Sequence, residues 1–195
     1  MLNNDKVSAF ENSIRSAFFG GKGKRAKDLL CSIKGLDDTS IEAAIKLVGM
    51  GSSSLRTKDS KTGSKRRIVP NKKTIENVRI MVNRSLEFFR LYGPVIKYGY
   101  TFEGGYTDLI SGGSGDFMTK DTLWDFKVSA SEPISRHTFQ LLIYYIMGLH
   151  SIHPEYKSIQ QIGIFNPRLN KVYTYPVNQI SSETILKIEQ EVIGY

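Results

Sequence analysis

Two aspartates and a lysine stand close together in a segment whose other residues predict a β-hairpin. The segment is 115–129, GDFMTKDTLWDFKVS, and the charged residues are Asp116, Asp125 and Lys127. A turn at Lys120-Asp121 places Asp116 directly opposite Asp125, where like charges repel and destabilise the strand pair. The pattern therefore indicates a cation between the carboxylates, and Mg²⁺ suits a site with one or two carboxylates. A shifted register, or two solvated aspartates, would explain the same residues without a metal.

The alternation of side chains along a strand separates this hairpin into two faces. The charged face carries Asp116, Asp125 and Lys127 together with Met118. The opposite face is aromatic and apolar, and we expect it to belong to the core; its members are Phe117, Trp124, Phe126 and Val128.

Three short motifs follow one another in this part of the chain. They are Gly115-Asp116, then Asp125-Phe126-Lys127, then Gln140 and Tyr144 four residues apart on a predicted helix. The ordered set resembles motifs II and III of the PD-(D/E)XK nuclease superfamily, with the Q-x-x-x-Y motif of its RecB-like and phage lambda exonuclease-like branch. The ordered set is more specific than any one of its parts.

The resemblance implies a restriction-endonuclease-like α/β core, with a central mixed sheet flanked by helices, and a Mg²⁺-dependent deoxyribonuclease. Mn²⁺ is the alternative metal. By resemblance, Asp116, Asp125 and the carbonyl of Phe126 hold the metal, and Lys127 lies beside the attacking water. Gln140 and Tyr144 complete the predicted catalytic set. A bound Mg²⁺ would polarise the phosphate and lower the pKa of its water, which is what hydrolysis of an anionic diester requires.

The chain also departs from the family's pattern. Lambda-exonuclease-like members use a glutamate from the preceding helix; Glu87 is favoured here over Glu76, although a surface glutamate explains either. RecB-like members often carry a histidine ahead of the strands, whereas the first histidine here is His137. The three histidines are predicted to have a structural role or to lie at the surface. One cysteine, Cys31, cannot hold the iron–sulfur cluster of some relatives.

The net charge of +8 is concentrated in one stretch. Residues 51–73 contain eight basic side chains and one acid, so this stretch carries 8 − 1 = +7. It is rich in Ser, Thr and Gly and predicts a flexible loop. Such a loop either aids solubility or neutralises the phosphates of a nucleic acid. The predicted DNA contacts are Lys65, Arg66, Arg67, Lys72 and Lys73.

The surrounding elements predict three regions. Residues 1–50 form a small helical part, 51–73 the basic loop and 74–195 the nuclease-like core. In the first, helices are expected over 4–19, over Ala26–Ile33 and after a cap at Asp38–Ser40. In the core, a helix is expected over Thr74–Tyr92 and another over Ser135–His150. Strands are predicted over Val95–Tyr100, Tyr106–Ile110, Gly115–Thr119, Leu123–Ser129, Ile162–Phe165 and Val172–Val177, before a terminal helix capped at Ser181.

Two other functions remain open at this point. The first is a catalytically inactive nucleic-acid-binding or inhibitor protein on the same fold, in a phage or defence context. The second is a structural protein whose hairpin matches by accident. The longest apolar run is too short for a membrane span, and a cytoplasmic location is expected. Some relatives form rings, so the resemblance is compatible with an oligomer. The resemblance does not distinguish exonuclease from endonuclease action or DNA from RNA as the substrate, and it does not identify the pathway.

Overall fold

The computed structural model describes residues 23–51 and 69–195. The chain divides into two compact units, Met1–Asn83 and Arg84–Tyr195. This division lies within a long helix, whereas the predicted core began at residue 74, at the predicted start of that helix. The predicted helix over 4–19 and most of the basic loop lie outside the described residues. No helix in the described ranges is long and apolar enough to cross a membrane.

The first unit contains the two short helices that the sequence predicts. Helix α1 spans Gly23–Ser32 and helix α2 spans Asp38–Gly51. The predicted cap within Asp38–Ser40 is wrong by one residue, since Asp37 is the capping residue. Its carboxylate accepts hydrogen bonds from the backbone N–H of Ser40 at 3.0 Å and from the Ser40 hydroxyl at 2.6 Å. These bonds to the ionised form lower the pKa of Asp37.

The long helix α3 spans Lys72–Tyr92. It begins after Asn71, whose side-chain oxygen accepts the N–H of Thr74 at 2.8 Å. This is the usual arrangement of a capping asparagine, which satisfies an N–H that has no partner inside the helix. The predicted helix is therefore confirmed and starts two residues earlier than expected. Its last turns, from Arg84 onward, belong to the second unit.

The second unit is built on a five-stranded mixed sheet in the order β1-β2-β3-β4-β5. The strands are β1 (Lys97–Tyr98), β2 (Phe117–Met118), β3 (Thr122–Phe126), β4 (Gln161–Asn166) and β5 (Lys171–Pro176). Neighbours are antiparallel except β3 and β4, which are parallel. A parallel pair needs a long crossover, and helix α4 (Ser135–Leu149) supplies it. The predicted α/β fold with a mixed sheet is confirmed.

The predicted strand over Tyr106–Ile110 is wrong. These residues form a compact turn in which Thr107 and Ile110 bond to each other. The N–H of Thr107 donates to the carbonyl of Ile110 at 3.1 Å, and the N–H of Ile110 donates to the Thr107 hydroxyl at 3.2 Å. A threonine hydroxyl that satisfies a nearby backbone N–H competes with strand pairing.

The chain ends in a helix, as predicted. Helix α5 spans Ser182–Ile188 and passes into a wider turn over Glu189–Ile193. The hydroxyl of Ser181 accepts the N–H of Thr184 at 3.1 Å, so the predicted cap is confirmed.

Both faces of the sheet are covered. One face presents Met118, Leu123, Ile162 and Ile164 to buried residues of α4, including Leu141 and Ile146. The other face presents Phe117, Trp124 and Phe165, which pack around Phe88 of α3. The ring of Phe88 stacks on Phe165 with centroids 4.3 Å apart and meets Trp124 edge-on at 4.8 Å. The predicted aromatic face is confirmed except at Val128, which is 61% exposed.

Phe88→Ala is expected to lower the free energy of unfolding of the second unit by about 3–5 kcal/mol, because it leaves a cavity among the aromatic rings. Trp124 is the only tryptophan in the chain, so its fluorescence in a urea titration reports this transition. Leu91→Ala on the same helix is the matched control, since Leu91 is 60% exposed; it should cost less than about 1 kcal/mol. Equal losses in the two variants would contradict the packing described.

Candidate metal centre

The hairpin has the register that places the two aspartates at the same end. Phe117 pairs with Trp124 and Met118 with Leu123. The N–H of Thr119 donates to the carbonyl of Thr122 at 3.0 Å, which closes the predicted turn. One step beyond the pair of Phe117 and Trp124, the same register would bring Asp116 opposite Asp125.

The strand pairing stops at that step, and the carboxylate of Asp116 takes over as acceptor. In a continued ladder the N–H of Phe126 would bond to the backbone of Gly115. Instead, it donates to Oδ2 of Asp116 at 2.6 Å. The N–H of Gly115 turns to the carbonyl of Tyr100 at 2.9 Å. Asp116 is thereby held against the end of β3 by its side chain.

The ring of Tyr100 occupies the space next to Gly115. Tyr100 is fully buried, and its hydroxyl donates to the carbonyl of Trp124 at 3.3 Å. A Cβ added to Gly115 would lie 1.9 Å from Cζ of this ring, so only glycine fits beside it. Burial, followed by the charges of Asp125 and Asp116, raises the pKa of Tyr100 well above its ordinary value. The phenol therefore stays neutral beside both carboxylates.

Asp125 is a buried carboxylate on the face of the sheet that α4 covers. It is 7% exposed, and its Oδ2 lies 2.7 Å from Nζ of Lys127. Oδ2 of Asp125 therefore has the ammonium of Lys127 as its charged partner. Burial raises the pKa of Asp125 against the opposing effect of Lys127. A buried carboxylate oxygen that faces a cation suits a site that also binds a metal ion.

Lys127, Gln140 and Tyr144 form one connected chain that starts at Asp125. Nζ of Lys127 lies 3.5 Å from Oε1 of Gln140, and Nε2 of Gln140 donates to the hydroxyl of Tyr144 at 3.0 Å. The Tyr144 ring lies against Phe102, with centroids 5.0 Å apart. Because Gln140 and Tyr144 are one turn apart on α4, they present a single face to Lys127. The structure thus brings Lys127, from the end of the hairpin, to Gln140 on α4, which the sequence placed on a separate element.

Phe126 contributes its backbone to this centre and its ring to the opposite face. Its N–H is taken by Asp116, and its ring meets Phe165 at 5.0 Å between centroids. The Gly115 N–H, which would bond to the Phe126 carbonyl in a continued ladder, is committed to Tyr100. This carbonyl, predicted as a metal ligand, therefore lies where the pairing of β3 with β2 has stopped.

The structure does not bring the predicted Glu87 to the aspartates. Glu87 pairs with Arg90 through both oxygens, at 2.8 and 2.5 Å, and its pKa is lowered by that contact. Its neighbour Phe88 packs on the sheet face opposite Asp125, which directs α3 away from the site. Glu76 pairs with Arg79 within the first unit. Within residues 23–51 and 69–195, no three His, Cys, Asp or Glu residues form a metal-binding group.

The predicted DNA contacts are only partly visible. Lys72 and Lys73 are exposed at the start of α3. Lys65, Arg66 and Arg67 lie outside the described residues.

Tyr100 contacts this centre and was not among the predicted site residues. It carries no local signal, because its role depends on Gly115, on a separate segment of the chain. His137 was predicted to be structural or superficial, and its Nδ1 accepts the N–H of Ile134 at 3.3 Å at the start of α4. Its spacing of three residues from Gln140 places both on one face of the helix.

No family model, no curated protein and no solved structure matches this chain. The assignment of the site therefore depends on the motif residues and their geometry.

Gly115→Ala is expected to lower the free energy of unfolding of the second unit by about 1–3 kcal/mol or more, because the new Cβ would displace the Tyr100 ring. The same displacement should weaken Mg²⁺ binding. Isothermal titration with Mg²⁺ and urea unfolding measure the two effects. Gly112→Ala is the matched control, since a Cβ there meets nothing within 4 Å. Parental behaviour of Gly115→Ala would contradict the close approach of Tyr100.

Asp125→Asn is expected to make the metal-free protein more stable at pH 7. The folded-state pKa of Asp125 lies above its ordinary value of 3.8, so the folded protein binds the proton more tightly than the unfolded chain. Stability from this group therefore falls as pH rises from about 4 through the raised pKa. Unfolding temperatures in EDTA across pH 4–8 should show this fall in the parent and a weaker fall in the variant.

Mg²⁺ should raise the unfolding temperature of the parent and leave Asp125→Asn unchanged, since a ligand stabilises only the state that binds it. Asp108→Asn, at an exposed position of the same unit, controls for the loss of one charge. If Asp125→Asn is less stable than the parent in EDTA at pH 7, burial of the Asp125 carboxylate does not destabilise the metal-free protein, and the prediction is refuted.

Proposed function

We propose that the chain is a metal-dependent nuclease that hydrolyses phosphodiester bonds of DNA. The observation that carries the proposal is the continuous contact from Asp125 through Lys127 and Gln140 to Tyr144. These residues are the ones that the resemblance to the PD-(D/E)XK superfamily selects. A chance match of short motifs would give no reason for their side chains to meet.

The order of elements supports a restriction-endonuclease-like core. Helix α3 is followed by the antiparallel strands β1, β2 and β3, then by α4, then by β4 parallel to β3. This is the predicted succession of helix, strands, helix and strands around a mixed sheet. Asp125 and Lys127 lie at the end of β3, and Gln140 and Tyr144 lie on α4. The candidate site is therefore at one edge of that core.

The metal ligands we propose are the carboxylates of Asp116 and Asp125 and the carbonyl of Phe126. They are hard oxygen donors, which Mg²⁺ and Mn²⁺ prefer. The carboxylate of Asp125 is the ligand that fits a cation best, because it is buried and its Oδ2 already faces the ammonium of Lys127. When bound, Mg²⁺ supplies Lewis-acid polarisation of the phosphate and a water of lowered pKa.

Lys127 is the cation that the chain itself provides. Its ammonium has three donors, and the partners visible in the structure are Asp125 and Gln140. It can orient the attacking water and offset the negative charge that develops at phosphorus. Gln140 and Tyr144 hold the ammonium in place, because a long flexible side chain otherwise samples many rotamers.

The reaction is a hydrolysis in which water attacks phosphorus. The oxygen of water forms a new bond to phosphorus, one ester P–O bond breaks and its electron pair stays with the departing oxygen. The water proton is lost to solvent, and the departing oxygen takes a proton from solvent. No oxidant, reductant or further substrate is needed.

DNA is the proposed polymer because basic residues adjoin the core in the sequence. Lys72 and Lys73 are exposed, and the proposed contacts extend to Lys65, Arg66 and Arg67. Lysine and arginine contacts to phosphate release counterions, which gives affinity without sequence preference.

The test is cleavage of linear duplex, circular and single-stranded DNA, with RNA in parallel, in Mg²⁺ or Mn²⁺. Asp116→Ala and Lys127→Ala should each lower the rate by roughly 100-fold or more, since each removes charge stabilisation at the reacting phosphate. Lys171→Ala is the matched control: Lys171 also pairs with a carboxylate, that of Glu132, but the pair is exposed.

The outcomes separate the competing functions. DNA binding that is salt-sensitive, is unaffected by Asp116→Ala and occurs without cleavage would favour an inactive binding or inhibitor protein. Neither binding nor cleavage would favour a structural protein. Cleavage confined to RNA would retain the chemistry and change the substrate.

A further inference from the structure

His137 lies on the face of α4 that already carries two residues of the proposed site. It precedes Gln140 by three residues and Tyr144 by seven, spacings that return to one side of a helix. Gln140 meets Lys127 from this side. His137 is half-buried and lies one turn ahead of Gln140 on this side of the helix.

The hydrogen bonding of the ring determines which nitrogen is available. Nδ1 lies 3.3 Å from the backbone nitrogen of Ile134, whose N–H donates to it. A nitrogen that accepts this bond is unprotonated, so in the neutral ring the proton is on Nε2. Nε2–H is then a donor held in one orientation by the first turn of α4.

Part of the donor capacity on this face is already used. Nε2 of Gln140 donates to the hydroxyl of Tyr144, and its Oε1 faces Nζ of Lys127. Nζ of Lys127 lies 2.7 Å from Asp125. A phosphate next to the two aspartates carries more acceptor oxygens than Lys127 alone can serve. His137 adds a further neutral donor, one turn ahead of Gln140 on the same face of α4.

We propose that His137 is a substrate-binding residue whose Nε2–H donates a hydrogen bond to a non-bridging oxygen of the phosphate. The inference rests on the proposed nuclease function and adds a contact that the motif residues do not supply. It differs from a capping role, in which only Nδ1 would matter through its bond to Ile134.

Two substitutions separate these roles. His137→Asn keeps a short side-chain acceptor for the Ile134 N–H but removes the distant donor. His137→Ala removes both. His150→Asn is the matched control at the other end of α4, because His150 bonds to Glu189 and stacks on Tyr195, with centroids 3.9 Å apart.

The measurements are KM and kcat for DNA in Mg²⁺, the dissociation constant of a labelled DNA in EDTA, and the unfolding temperature. His137→Asn should keep the parental unfolding temperature and raise KM and the dissociation constant roughly tenfold, the usual scale for a hydrogen bond to a charged group. His137→Ala should show the same loss of affinity, and His150→Asn should bind DNA like the parent.

Parental KM and dissociation constant in His137→Asn, with a loss of stability only in His137→Ala, would overturn the proposal and leave a capping role. The result is distinguishable from failure of the nuclease proposal. If the parent cleaves DNA and Asp116→Ala does not, the nuclease stands whatever His137 does. If the parent binds DNA without cutting it and His137→Asn weakens that binding, the contact stands and the nuclease proposal fails.

Discussion

The hydrogen bond from the N–H of Phe126 to the carboxylate of Asp116 determines the geometry of the candidate centre. At 2.6 Å it replaces the backbone bond that would continue the hairpin. It can form because Gly115 leaves the ladder and bonds to Tyr100, whose ring fills the space beside it. A continued ladder would have left Asp116 on the strand face and the Phe126 carbonyl engaged. The interruption instead gathers carboxylate and carbonyl oxygens at one sheet end.

The centre lies on a well-packed sheet, but its buried carboxylate lowers the stability of the fold. On one face of the sheet, Phe88 stacks on Phe165 of β4 and meets Trp124 of β3 edge-on. On the other face, the carboxylate of Asp125 is buried with Lys127 as its charged partner. Burial of a charge is expensive unless it is fully paired. A local conflict of this kind within an otherwise consistent core is typical of a functional site.

Much of the fold followed from local patterns. The hairpin register was predictable because side chains alternate and a two-residue turn sets the pairing. Helix α4 followed from apolar spacing. The strand predicted over Tyr106–Ile110 failed because Thr107 satisfies the backbone with its own hydroxyl, a competition that periodicity does not report. Glu87 was selected by nearness in sequence, but Phe88 anchors that helix to the far face of the sheet, and no local signal distinguishes the two faces.

By itself, the sequence determined the residue types and the order of the motifs: Asp116, then Asp125 with Lys127, then Gln140. Side-chain alternation and helical spacing depend only on neighbouring residues, so these were readable without a structure. The tertiary structure decided that Tyr100 interrupts the ladder, that Asp125 is buried and that Lys127 meets Gln140. These contacts join residues far apart in the chain, and they exist only once α4 has packed across the sheet.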